Sequence, residues 1–377
     1  MTITHLTDLA DAALCPRLVI KVGSALLVGP DGQPRREWLA SLVEEIAAAR
    51  SRGQQVVVVS SGAIALGAAR LKLEKGGRGN LADAQAAAAV GQIGLAGIWS
   101  DLLAGHGLTA AQLLLTLDDL EDRRRYLNAA ATLGRLLKAG AVPVVNENDS
   151  VATEEIRFGD NDRLAARVAQ AAHAKGVLLL SDVDGLYDRN PSQPGAQMLP
   201  QVRGVTEEIY AMADDRSGSG LGSGGMTSKL QAAEIAERAG IALAILNGTH
   251  VSPISRAMGN GTGTLFLPLR KDGARKAWLG GRIRMMGALT VDAGCARALA
   301  KGSSLLATGI TEVEGAFERG DPVEVRDDAG KVIARGLAEY SAAECARIKG
   351  RRTDRQQDIL GYAPRSAVIH RDQLVLL

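Results

Sequence analysis

QVVVVSSGAIALGAARL, residues 55–71, is a run of four consecutive valines that passes through two serines and a glycine into an apolar helical pattern. Val56 to Val59 leave no polar face, as a strand covered on both sides requires, and this argues for a parallel sheet buried between helices. Runs of the same kind recur at RLVIKV (17–22), TAAQLLL (109–115), AVPVVN (141–146), GVLLLS (176–181), IALAIL (241–246) and GTLFL (263–267). Between them Trp38, Leu39, Leu42, Val43 and Ile46 mark one helix face, and Leu127, Leu133, Leu136 and Leu137 another, with Gly53 and Gly140 placed to stop each helix. The alternation predicts an α/β fold, a three-layer sandwich around a mainly parallel sheet.

The chain has 377 residues, 46% hydrophobic and 23% charged, which fits a globular protein of two domains. Cys15, Cys295 and Cys345 are widely spaced, giving neither a disulfide framework nor a metal-ligand pattern, and they suit a reducing compartment. The opening MTITHLTDLADAALCPR carries Asp8 and Asp11 where a secretory peptide needs a basic start, so it reads as a short leader or a frayed helix. The apolar stretch from Ala84 to Trp99 is broken by Gln85, Gly91, Gln92 and Gly94, so no membrane partner is expected and a cytoplasmic location follows.

Charge changes along the chain. Residues 1–267 hold 25 basic and 28 acidic side chains, and residues 268–377 hold 19 and 14. PLRKDGARKAWLGGRIR (268–284) has six basic residues against one acid and reads as an exposed linker. Beyond it, ALTVD (288–292), SSLLATGI (303–310) and a hairpin pairing VEVRD with VIARG around Asp328-Ala329-Gly330 predict a small, mostly β module.

Ligands of open parallel sheets bind at the carboxyl ends of strands, so the residues that follow each run matter most. Lys21-Val22-Gly23-Ser24 puts a lysine at a strand end before a turn whose amides can face an anion; the alternative is a snorkelling surface lysine. Ser61-Gly62-Ala63 exposes a helix N-terminus to a carboxylate or phosphate, or else supplies an ordinary serine cap. Asn146-Glu147-Asn148-Asp149-Ser150 and Asp160-Asn161-Asp162-Arg163 offer oxygens for a ligand ammonium, with Asp162 suited to orienting lysines; the alternatives are a solvated turn and a helix cap. Ser181-Asp182-Val183-Asp184-Gly185 reads as a nucleotide-side loop or a common Asp-Gly turn.

SGSGLGSGGMTSKL (217–230) is a glycine loop leading into a helix with Lys229 in its first turns, a phosphate cradle with a neutralising arm. It is not a Walker A loop, because Leu230 follows Lys229, and Gly220, Gly222 and Gly225 lack the preceding strand of a dinucleotide fingerprint. His370-Arg371-Asp372 has no DFG partner. Five scattered histidines and no nucleophile elbow argue against hydrolase and zinc chemistry, and no resident metal site is expected. Phosphoryl transfer to a carboxylate needs none of these. Its acceptor is already an anion, so the protein must position two anions and cancel their repulsion.

In order, KVGS, SSGAI, NEND, GDND, SDVDGLYDRNP and SGLGSGGMTSKLQAA resemble the amino-acid-kinase superfamily. The pairing of VPVVNENDSVAT with GDND, together with a C-terminal extension, is similar to the glutamate 5-kinase (gamma-glutamyl kinase) family within it. KGSSLLATGI, GAFERGDPVEV, GKVIARGLAEYS and ILGY are similar to the PUA module that bacterial members carry. The resemblance implies a kinase domain over 1–267, a basic linker over 268–280 and a PUA domain over 281–377. It implies ATP-dependent phosphorylation of the side-chain carboxylate of L-glutamate, the first step of proline biosynthesis, with Mg2+ carried on ATP. Lys21 and Lys229 would stabilise the moving phosphoryl group and Asp162 would organise them. Ser61, Asp149 and Asn161, with Asn146 nearby, would hold glutamate. Ser181 and Asp182 would meet the nucleotide, and Ser223, Gly224, Gly225, Met226, Thr227, Ser228 and Lys229 would wrap its phosphates.

The same resemblance implies feedback inhibition by proline at the 149–162 loop, a homo-oligomer (dimer or tetramer) and a glutamyl-phosphate reductase as product acceptor. Ser24 and Ser181 stand where threonine is common, and Thr227-Ser228 are in swapped order; each keeps a hydroxyl. Two other readings compete. A sister kinase acting on N-acetylglutamate or aspartate would share the phosphate site, but the Asp149 anion suits a free ammonium. An RNA-binding role would use Arg347, Lys349, Arg351, Arg352 and Arg355, yet the charge excess is small and 3% aromatic residues offer few stacking platforms.

Overall fold

The apolar runs become strands. A computed structural model describes residues 2–151, 160–213, 225–268 and 285–376, and the chain divides into two units between Lys271 and Asp272. In the first unit β1 (Arg17–Val22), β2 (Gln55–Ser60), β3 (Ala110–Leu115), β4 (Val142–Glu147), β5 (Gly176–Ser181), β6 (Gln201–Arg203), β7 (Ala242–Asn247) and β8 (Thr264–Leu267) form one sheet in the order β3-β4-β2-β1-β5-β7-β8-β6. Neighbours are parallel except β7 and β8. β6 is an addition to the sequence reading: three residues with only Val202 buried are too short to show a period.

The helices of this unit are α1 (Ser24–Leu27), α2 (Arg36–Ser51), α3 (Ala63–Leu71), α4 (Leu81–Ala104), α5 (Leu117–Glu121), α6 (Arg123–Lys138), α7 (Asp160–Ala171), α8 (Glu207–Ala211), α9 (Met226–Arg238) and α10 (Pro253–Asn260). Successive strand residues point to opposite faces, so Val56 and Val58 pack with Trp38, Leu42 and Ile46 of α2 and Leu95 and Trp99 of α4. Val57 and Val59 pack on the other side with Leu133 and Leu137 of α6, Leu164 and Val168 of α7 and Leu230 of α9. These are the three expected layers. On α6 the inward face includes Ala129, while Leu136 is only half-buried. Both helix stops lie at positive φ, 91° at Gly53 and 85° at Gly140.

Two features escape the periodicity. The leader is part of the core rather than frayed: Leu9 and Cys15 are fully buried, and Gln54 Nε2 donates to the carbonyls of both, at 2.9 and 2.8 Å. α3 and α4 touch backbone to backbone. A Cβ on Gly67 would lie 1.8 Å from the Ala87 carbonyl oxygen, and one on Gly91 1.8 Å from that of Ala63. α4 is long and apolar enough by composition to cross a membrane, yet Ala84, Ala87, Leu95, Ile98, Trp99 and Leu103 are buried inside the protein.

In the second unit β9 (Gly287–Val291), β10 (Ile310–Gly315), β11 (Pro322–Arg326), β12 (Val332–Leu337) and β13 (Leu374–Leu376) form a sheet in the order β10-β9-β11-β12-β13. β11 and β12 make the expected antiparallel hairpin, and β11 runs parallel to β9. Leu289, Phe317, Val323, Val325, Tyr340 and Ile369 fill the core. SSLLATGI is not one strand. Leu305 bridges Ile369, a 3-10 turn spans Ala307–Gly309, and the strand starts at Ile310. Gly309 sits against Cys295, where a Cβ would approach to 2.5 Å, and the chain turns at that contact. Of the basic stretch 268–280, only Pro268 lies within the described residues.

Candidate active site

The chain builds outward from β1 in both directions, through β2 and β4 on one side and β5 and β7 on the other, so β1 is where the strand order reverses and where a ligand crevice opens. Lys21 is the penultimate residue of β1. Its ammonium lies 2.5 Å from Asp162 Oδ1 in the first turn of α7, and Lys229 of α9 lies 3.2 Å from Asp162 Oδ2. Asp162 has no exposed surface, and the two lysines have 7% and 5%. Ser228 Oγ adds a contact of 3.1 Å to the same Oδ2.

Burial alone raises the Asp162 carboxyl, but the ammoniums of Lys21 and Lys229 outweigh it and hold it at about 2. Burial pulls the Lys21 ammonium below its ordinary value; Asp162 opposes that pull and Lys229 adds to it. Two ammoniums share one buried carboxylate in a dry place, so part of their charge remains for an anionic ligand. Lys21 is therefore not a snorkelling surface lysine, and Asp162 is a buried ion-pair partner rather than a helix cap.

On the other side of β1 the groups nearest Ser61 are amides rather than charges. Ser61 is not the cap of α3; that position is Gly62, with φ 112° and no side-chain cap bond. Ser61 Oγ instead accepts from Asn161 Nδ2 at 2.8 Å, and the same Nδ2 lies 3.4 Å from Asn146 Oδ1. Asn146 Nδ2 donates to Gln92 Oε1 of α4 at 2.9 Å. Asn161 Oδ1 is buried and has no hydrogen-bond partner among the described residues. Next to this relay a cleft of about 330 Å³ is lined by Ala63, Gln92, Gln112, Glu147 and Asp149, among others. Asp149 is buried; burial lowers the Arg78 guanidinium pKa, and the Asp149 charge opposes that pull without cancelling it.

At the end of β5, Ser181 Oγ donates to Asp182 Oδ1 at 3.1 Å, and the Asp182 charge reaches Lys21. Asp184 is taken up by Asn247 Nδ2 at 2.8 Å. Gly225 is the N-cap of α9 and carries no side-chain cap, with Met226, Thr227, Ser228 and Lys229 as the first residues of the helix. Ser223 and Gly224, and most of the 149–162 loop, lie outside the described residues. The structure thus brings Lys21, Lys229 and Asp162 into one cluster and Ser61, Asn146 and Asn161 into another. Gln92 and Gln112 were not anticipated; the signal was two amides, one in an apolar helix and one in an apolar strand, and Gln92 reads in the sequence only as a break in the run.

Comparison with known proteins identifies the family. The amino acid kinase family profile matches residues 16–247, and the PUA domain profile matches residues 287–360. A glutamate 5-kinase of Novosphingobium aromaticivorans is 71% identical over 377 residues, all of both chains. Those of Sphingopyxis alaskensis and Brucella anthropi are 60% and 51% identical, covering 97% and 96% of this chain and 98% and 95% of their own. The chain belongs to the amino acid kinase family, among the glutamate 5-kinases, and carries a C-terminal PUA domain.

Proposed function

We propose that the chain transfers the terminal phosphoryl group of ATP to the side-chain carboxylate of L-glutamate, giving an acyl phosphate and ADP as the first step of proline biosynthesis in the cytoplasm. The observation that carries this reading is Asp162 fixing two buried lysines at the β1 crevice, 2.5 and 3.2 Å away, with an amide relay beside them. A carboxylate oxygen attacks the γ-phosphorus, the bond from that phosphorus to the bridging oxygen breaks, and ADP leaves with the electron pair. No proton is removed from the acceptor, so no general base is required.

The difficulty is electrostatic, because two anions must meet. An ammonium 4 Å from one phosphoryl charge contributes about 4 kcal/mol at an effective dielectric constant near 20. Asp162 holds both ammoniums in place before ATP arrives, so little reorganisation remains for the reaction itself. The uncapped start of α9 from Gly225 to Lys229 supports a phosphate cradle that includes Ser223 and Gly224, and Ser181 with Asp182 would meet the nucleotide. Among the described residues no group of three or more His, Cys, Asp or Glu could hold a metal ion, and in this reading magnesium enters with ATP as part of the co-substrate.

Glutamate would sit in the cleft beside Asp149, its ammonium received by Asp149 and Asn161 and its reacting carboxylate turned toward Lys21 and Lys229. Asp149 supports a free amino group over an acetylated one, because its negative charge attracts an ammonium and leaves an acetylated nitrogen unmatched. Proline, which shares the α-amino and α-carboxylate groups, would compete for the same cleft. Self-association and a reductase that receives the labile product belong to the same reading.

The test is ATP turnover with hydroxylamine trapping of the acyl phosphate, run with L-glutamate, N-acetyl-L-glutamate and L-aspartate, each with and without proline. The proposal expects hydroxamate from L-glutamate alone, suppressed by proline. Preference for acetylglutamate or aspartate would overturn the substrate assignment and leave the phosphate site standing.

A further inference from the structure

Gln92 belongs to none of the motifs, yet it holds one end of the amide relay. It follows Gly91, the residue that lets the α3 and α4 backbones touch, so its position relative to Ser61 and Asn146 is set by a close helix contact. An amide side chain has an acceptor on one arm and two donors on the other. With Gln92 Oε1 accepting from Asn146 Nδ2 at 2.9 Å, Asn146 turns its oxygen toward Asn161 Nδ2, which also donates to Ser61. Asn161 then has only its oxygen left to present, and that oxygen is the buried atom without a partner.

We infer that Gln92 is a positioning residue that sets the polarity of the whole relay, so that Asn161 offers the ligand a carbonyl oxygen and selects an ammonium. The inference rests on the proposed glutamate substrate. With the opposite polarity, Gln92 giving its NH2 to Asn146, each amide would turn over in sequence and Asn161 would offer NH2. That site would suit a carboxylate or an acetyl oxygen and would repel the ammonium. A charged neighbour alone does not make this choice; Gln92, itself part of the cleft wall, makes it through Asn146.

The experiment compares the full-length chain with Gln92→Met, which keeps length and helix preference but cannot accept in the same way, and Gln92→Glu, which keeps an acceptor oxygen toward Asn146. KM and kcat are measured for L-glutamate and ATP, and glutarate, which lacks the amino group, is measured as substrate or competitive inhibitor. The expected result is a rise of about tenfold in the glutamate KM for Gln92→Met, on the scale of one lost charge-assisted hydrogen bond. The ATP KM and the thermal midpoint stay within twofold, the glutarate constant rises several-fold less than the glutamate KM, and Gln92→Glu recovers most of the glutamate KM lost in Gln92→Met. An unchanged glutamate KM, or an equal rise for glutarate, overturns the inference alone. Failure of the unmodified chain to phosphorylate glutamate overturns the functional reading and the inference with it.

Discussion

The two sides of β1 solve different problems with different chemistry. Toward α7 and α9 the crevice is lined by Lys21, Asp162 and Lys229, three buried charges. Toward α3 and α4 it is lined by Ser61, Asn146, Asn161 and Gln92, which carry no charge. In the proposed reaction charge moves only on the first side. Fixed ammoniums act on the transition state there, whereas the amides on the second side recognise the amino end of the ligand, which does not change during transfer. Substitutions on the first side should therefore change kcat, and those on the second should change the glutamate KM.

Lys229→Ala should break the comparison most visibly, lowering kcat by about 10² to 10³ with the glutamate KM within a few-fold, as steady-state kinetics would show. Asp162→Asn is expected to lower kcat by about tenfold or more, and it sharpens the comparison through pH. Lys21 must be protonated to act, and Asp162 is what supports its ammonium against burial and against Lys229. Without that anion the Lys21 pKa falls further, so the alkaline limb of the kcat profile should move to lower pH; an unmoved limb would contradict the pairing. Asp149→Ala should leave kcat nearly intact and raise the glutamate KM about 10- to 100-fold, the scale of a hydrogen bond to a charged group. Gly91→Ala forces α3 and α4 apart and should lower stability by about 1–3 kcal/mol, seen in thermal unfolding, with a smaller rise in the glutamate KM and no change in that for ATP.

The sheet was legible because Val56 to Val59 and the similar runs leave no polar face, and the charged cluster because Lys21 ends a strand, Asp162 and Lys229 open helices, and the order of these motifs resembles the family. β6 escaped because one buried residue has no period. The leader escaped because Thr2, Thr4, His5 and Asp8 interleave with Ile3 and Leu9, and its anchor, Gln54, lies far along the chain. Gln92 was visible but misread, since a polar residue in an apolar helix looks like an interruption until Asn146 is found 2.9 Å away. Ser61 of SSGAI could be read either as a ligand-side residue or as a cap; Gly62 takes the cap position and Ser61 faces Asn161. Side-chain partners more than 30 residues apart leave no mark in a local pattern.

The division of labour across β1 is tested most directly by measuring kcat and both KM values for Lys229→Ala and Asp149→Ala side by side in the hydroxamate assay. The account predicts a loss in kcat for the first and a rise in the glutamate KM for the second, with the ATP KM of Asp149→Ala unchanged. If both variants move the same parameter, or Lys229→Ala turns over at a near-normal rate, the two sides of the crevice do not have the separate roles assigned to them.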